Sequence, residues 1–106
     1  DDGLTLPLIA AGGDGVISVV SNIAPAYMSE MTHAFLDGDI KKAWKMQVEC
    51  QDIVKALFCE VNPIPVKEAV NIIGLPGGKC RVPLVDMKPE NRAKLANAIE
   101  EFKKEF

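Results

Sequence analysis

No run of apolar residues approaches the ~20 that a membrane-crossing helix needs. Basic residues do not cluster: 12 Lys and Arg are scattered among 15 Asp and Glu, leaving a net charge of −3. That excludes a nucleic-acid patch and an anionic-membrane anchor. The opening Asp1-Asp2 carries no basic region and no leader-like stretch. Aromatics are scarce at 6% of residues, so aliphatic side chains and methionine must fill the core. Histidine is represented once, by His33, so no Ser/His/Asp or Cys/His arrangement can be argued from spacing. Beside Thr32 and Glu30 on a helix, His33 reads as a surface residue. The cysteines number three, Cys50, Cys59 and Cys80. Their spacing fits no zinc pattern, and their odd count suits free thiols of a reducing, cytoplasmic compartment. Asp37-Gly38-Asp39 lacks the further ligands of a calcium loop. Gly74 to Lys79 is one residue short of a phosphate loop, with Cys80 where Ser or Thr belongs. No metal and no cofactor are expected.

What is present suits one modest domain: 106 residues, 48% of them hydrophobic. Leu4 to Ala11 reads as a short helix capped by Asp2 or Thr5; Pro7 sits well only with the start near Thr5. Gly12-Gly13 stops it. Val16 to Val20 is apolar at four of its five residues, a run rather than an alternation, the pattern of a parallel-type strand covered on both faces. Asn22 is a suitable N-cap for the next helix, with Pro25 at its third position. Ala24, Tyr27, Met28, Met31, Ala34 and Phe35 recur there at helical spacing.

Asp37-Gly38 ends that helix and Asp39 caps the next, the longest, over Ile40 to Cys59. Its stripe is Ala43, Met46, Cys50, Ile53, Val54, Leu57 and Val61. Asn62-Pro63-Ile64-Pro65 is a rigid break. Pro65 opens a helix through Val66, Ala69, Val70 and Ile73, stopped by Gly74. Leu75 to Lys79 is a loop, and Cys80 to Leu84 is extended. Pro89 opens a last helix with Leu95, Ala96, Ile99, Phe102 and Phe106 on one face. The chain is thus mostly α, with about five helices and the single strand 16–20. A lone buried strand cannot satisfy its own backbone groups. Helix, strand and helix in this rhythm match a βα-barrel unit. The strand therefore predicts partners from outside this chain, and Asp1-Asp2 reads as a cap position directly after a strand. The opposing reading is a small helical domain in which the run is loop or helix.

The residues Asp1-Asp2, Leu4-Thr5-Leu6-Pro7, Gly12-Gly13-Asp14-Gly15-Val16-Ile17-Ser18-Val19, Asn22 and Pro25 resemble the dihydrodipicolinate synthase family. So do Phe58-Cys59-Glu60-Val61-Asn62-Pro63-Ile64-Pro65-Val66-Lys67 and Arg81-Val82-Pro83-Leu84. The resemblance runs from first residue to last and implies the C-terminal portion of a TIM-barrel, (β/α)8, α/β enzyme. Residues 1–36 would be the last helix-strand-helix units and 37–106 a C-terminal helical extension.

The implied enzyme is a lyase of lysine (diaminopimelate) biosynthesis, typically a homotetramer. It condenses pyruvate with aspartate semialdehyde through a lysine Schiff base, with a tyrosine relaying protons. By the same resemblance, that lysine and tyrosine precede Asp1 and are absent, so the chain alone is expected to be inactive. Its lysines fall on solvated faces or, for Lys79 and Lys88, in loops, and none follows a buried strand. Ile17 matches the isoleucine beside bound pyruvate; it reads equally as a core residue of a buried strand. Asp1 and Asp2 match acidic residues next to the pocket and read equally as helix caps. Asn62, Pro63, Pro65 and Lys67 match a motif read as structural. The implied partners are an N-terminal barrel segment or a second copy. Two alternatives stand beside this reading: a non-catalytic helical assembly module, and a segment of another pyruvate aldolase such as N-acetylneuraminate lyase.

Overall fold

The computed structural model describes residues 1–104, so the expected contribution of Phe106 lies outside the described residues. Six α-helices follow in order: α1 Thr5–Ala10, α2 Pro25–Leu36, α3 Ile40–Glu49, α4 Gln51–Leu57, α5 Ile64–Ile72 and α6 Pro89–Lys103. Two 3-10 turns, Asp2–Leu4 and Val20–Asn22, flank α1 and the loop after it. The body is elongated, 42 × 28 × 21 Å. Its radius of gyration of 14.2 Å exceeds the ~13 Å of a compact chain near this length.

Helix ends follow their local chemistry. Gly12 has φ +109°, which a residue without a Cβ adopts freely. Its N–H and that of Gly13 reach back to Ile9 O and Leu8 O, both at 2.9 Å, and close α1. Asp39 caps α3 through Lys42 N–H at 3.2 Å, as its position after Gly38 predicts. α2 differs from expectation. Pro25 is its first residue and Ala24 its N-cap, whereas Asn22 ends a 3-10 turn and donates from Nδ2 to Val19 O. Proline suits the first position because its missing N–H leaves nothing unpaired.

The long helix expected over Ile40 to Cys59 divides at Cys50, where ψ is −5°. The carbonyl of Gln47 there accepts from Gln51 Nε2 at 3.0 Å and from the Cys50 thiol at 3.3 Å. Side chains that take a ladder carbonyl break the ladder locally. The stripe still buries Ala43, Met46, Cys50, Ile53, Val54 and Leu57. Val61, past the end of α4, is 65% exposed and leaves the stripe.

The strand expected over Val16 to Val20 is absent: no strand occurs among the described residues. Residues 13–18 are irregular and Val19 is turned to φ −85°, ψ −42°. A ladder needs a second strand. The other extended candidate, Cys80 to Leu84, ends in a turn closed by Leu84 N–H to Arg81 O at 3.1 Å. It cannot serve, because Pro83 lacks a donor.

One core joins all six helices. α2 lies on α3, where the Tyr27 hydroxyl donates to Met46 O at 2.8 Å. α6 lies across α4 and α5, and Phe102 meets the Tyr27 ring edge-on at 4.8 Å. Leu6, Met31, Ile53, Leu57 and Leu95 are fully enclosed, each worth ~1.5–3 kcal/mol relative to exposure. Residues 1–36 and 37–104 both contribute to this core.

Candidate functional site

The site is built on the first turn of the chain. Asp1 caps it, its Oδ1 accepting from Gly3 N–H at 2.8 Å. Asp2 turns inward and is 0% exposed. Its Oδ2 accepts from Val19 N–H at 2.9 Å and Val20 N–H at 3.3 Å, and its Oδ1 from the Ser18 hydroxyl. Ser18 Oγ in turn accepts from Ser21 N–H at 2.9 Å. The donors that open the 3-10 turn Val20–Asn22 thus converge on one carboxylate, directly or through a hydroxyl. Hydrogen bonds to a carboxylate are stronger than neutral ones, and the relay through Ser18 polarises both members.

The backbone of Asp2 is secured from the other side. Gln47 of α3, 2% exposed, donates from Nε2 to Asp2 O at 3.0 Å and accepts Leu6 N–H at Oε1, also at 3.0 Å. The Thr5 hydroxyl donates to the same Asp2 carbonyl at 3.0 Å. Gln51 Nε2 reaches Gly3 O at 3.3 Å. No buried side-chain polar atom among the described residues is left without a partner, as a low-dielectric network requires.

Ile17 stands beside this network on the irregular loop. Its neighbour Val16 packs against the core and Ser18 is held by Asp2. Ile17 itself is 98% exposed, so the expected core role fails in this chain. A side chain that touches nothing here is free to line a surface supplied by another segment. Asp1 lies at the exposed start of the turn and Asp2 beneath it.

The remaining candidates fall elsewhere. Lys67 is half-buried, its Nζ donating to Lys79 O at 3.0 Å, and the other lysines of the described residues are exposed. Lys42 is held above its ordinary range by its hydrogen bond and charge pairing with Glu30, 2.6 Å away. A Schiff-base lysine needs the opposite shift. His33 is exposed, its Nδ1 2.8 Å from Ser29 O.

A cleft of about 360 Å³ lies between α5, α6 and the loop after Gly74. Two of its cations are already paired, Arg92 with Glu68 at 2.6 Å and Lys79 with Asp86 at 3.3 Å, and the third, Lys67, is bonded to Lys79 O. The loop is fastened by Asn71, whose amide exchanges two bonds with Gly78. A Cβ on Gly77 would stand 2.6 Å from Lys67 O, so this stretch is a packed connection rather than a phosphate cradle. Burial, and then the charge of Asp2, push the Cys50 thiol up to about 11. It is an unreactive core thiol.

Sequence reading does not find Gln47 or Ser18. Gln47 sits next to the apolar stripe position Met46, the one available signal. Ser18 interrupts the valine run, and that interruption marks where the loop turns to Asp2.

Among known proteins, the model of the Dihydrodipicolinate synthetase family matches residues 1–102. The 4-hydroxy-tetrahydrodipicolinate synthase of Methanococcoides burtonii is 48% identical over 102 residues, which are 96% of this chain and 35% of that one. The solved dihydrodipicolinate synthase of Thermotoga maritima superposes with a TM-score of 0.92 at 40% identity, covering 97% of this chain and 35% of its own. The chloride-inhibited enzyme of Acinetobacter baumannii, complexed with pyruvate, superposes with a TM-score of 0.91 at 37% identity, covering 97% and 35%. This chain therefore spans about a third of the length of the relatives it matches. With the sequence matched almost end to end and the helices superposed on solved members, the chain belongs to the dihydrodipicolinate synthetase family.

Proposed function

We propose that these residues form the C-terminal part of a lyase that condenses pyruvate with aspartate semialdehyde through a lysine Schiff base in lysine biosynthesis. Residues 1–36 complete the barrel, residues 37–106 support it as a helical extension, and the assembled enzyme is a cytoplasmic homotetramer. The observation that carries this reading is the placement of Ile17. It is almost wholly exposed on a loop whose adjacent residues are fixed by burial and by Asp2. In the complete barrel the preceding segment supplies the neighbours of the run that starts at Val16, Val19 and Val20 keep their bonds to Asp2, and Ile17 becomes one wall of the pyruvate pocket. The Schiff-base lysine and relay tyrosine come from the barrel segment that precedes this one. Asp1 lies at the mouth of the same pocket.

The chain alone is inactive on this reading, because its lysines are solvated or bonded and none is desolvated enough to be a nucleophile near neutral pH. Borohydride trapping with pyruvate, read by mass spectrometry, tests both statements. The 106 residues are examined alone and in a chimera where they replace the stretch they match in the Methanococcoides burtonii relative. The expected adduct appears only in the chimera, on a lysine contributed by the relative. An adduct on any lysine of the isolated chain overturns the inactivity; none in a folded chimera overturns the assignment.

A second reading, a non-catalytic assembly module, is favoured by Leu4 and Leu8, four residues apart and about half exposed. Leu8 lies on α1 and Leu4 at its N-cap. Light scattering that shows a monomer up to high concentration removes it.

A further inference from the structure

We propose that Asp2 is the positioning residue of the pyruvate pocket: its buried carboxylate, held in place by Gln47, sets the direction in which the loop presents Ile17. This rests on the pocket role of Ile17 given above. Ile17 has no packing of its own, being 98% exposed. Its placement must come from its neighbours. On the N-terminal side Val16 packs against the core. On the C-terminal side Ser18, Val19 and Val20 all donate to Asp2.

Asp2 cannot itself touch a substrate. It is 0% exposed and both oxygens are engaged. It acts through the loop, and its own position is transmitted from α3. Gln47 grips the Asp2 carbonyl and Leu6 N–H together, so the helical extension and the loop are joined by two consecutive hydrogen-bonded links. Pocket geometry held this way is specific in direction. A loop released at Ser18 to Val20 loses the alignment of Ile17 while the helices, which owe their packing to the apolar core, remain. Substrate affinity is sensitive to such misplacement.

The experiment compares Asp2→Ala, Asp2→Asn and Leu57→Ala in the chimera, measuring KM for pyruvate, kcat and Tm. Leu57 is buried at the far end of α4 and serves as a destabilised control. Asp2→Ala is expected to raise pyruvate KM about tenfold or more, the loss of roughly one charge-assisted hydrogen bond's worth of alignment. Leu57→Ala, with a comparable fall in Tm, leaves that KM within about twofold. Asp2→Asn keeps an oxygen for the Val19 and Val20 N–H groups and falls between wild type and Asp2→Ala. Equal rises in pyruvate KM for Asp2→Ala and Leu57→Ala, or none for Asp2→Ala, overturn the proposal.

A second measurement needs only the 106 residues. Asp2→Ala speeds hydrogen exchange at the Val19 and Val20 amides about tenfold and leaves the α6 amides unchanged. Unchanged exchange at Val19 and Val20 overturns the clamp whatever the chimera does. A wild-type chimera that forms no pyruvate adduct defeats the pocket assignment instead, with the exchange result standing apart from it.

Discussion

Val19 donates its backbone N–H to Asp2 Oδ2 at 2.9 Å across seventeen residues of chain. The bond closes a loop that no strand ladder holds, and it ties the first turn to the segment carrying Ile17. Loss of the carboxylate leaves two backbone donors and the Ser18 hydroxyl without their acceptor. Asp2→Ala is expected to destabilise the chain by about 3 kcal/mol, since unpaired buried donors retain their full desolvation penalty. The urea midpoint read by circular dichroism measures it. A change within about 0.5 kcal/mol, the scale of an ordinary surface substitution, contradicts the clamp.

Gln47→Leu fills the same space but abandons Leu6 N–H and one bond to the Asp2 carbonyl. About 2 kcal/mol of stability should go with them. Because Gln47 touches Asp2 directly, the two substitutions should not add. A double-mutant cycle with Asp2→Ala is expected to give a coupling of at least about 0.5 kcal/mol. Strict additivity would show that the two links are independent.

Cys50 supplies a pH test. Its thiol is raised from 9.0 to about 11 by burial and by the charge of Asp2. Between these values the unfolded chain has released the proton and the folded chain still holds it. Stability from this group is therefore full below pH 9 and declines as pH rises towards 11, by roughly 2–3 kcal/mol in all. Cys50→Ala should flatten that decline relative to wild type in urea melts over the same pH window. Parallel slopes for the two proteins would place the alkaline loss in other groups. In the folded state, exposed Cys59 should alkylate while Cys50 does not.

Ile17→Ala separates a pocket residue from a core residue. At 98% exposure the change should alter the stability of this chain by less than about 0.5 kcal/mol. Leu57→Ala, fully enclosed, should cost about 2–5 kcal/mol. Thermal melts of the two variants compare them directly. A large loss from Ile17→Ala would mean that the side chain packs in solution, against the exposed placement.

Helix positions were legible wherever local chemistry sets them. Pro89 opens α6, Asp39 caps α3, and Gly38 and Gly74, with φ of +94° and +90°, follow α2 and α5. The break at Cys50 was not legible, because it arises from where the Gln51 side chain and a thiol turn, not from any helix-breaking residue. Asp2 had two sequence readings, cap and pocket neighbour. The capping of that turn falls to Asp1, and Asp2 instead receives donors from a distant turn.

By itself, the sequence determined the family, the helical faces and the free-thiol chemistry, because motif order, apolar periodicity and composition are local properties of the chain. The state of Val16 to Val20 was left to the tertiary structure. An apolar run has strand preference, but a strand exists only where a neighbouring strand accepts its hydrogen bonds. Here the buried carboxylate of Asp2 takes the donors at the end of the run, Val19 adopts a helical conformation and Ile17 faces outward.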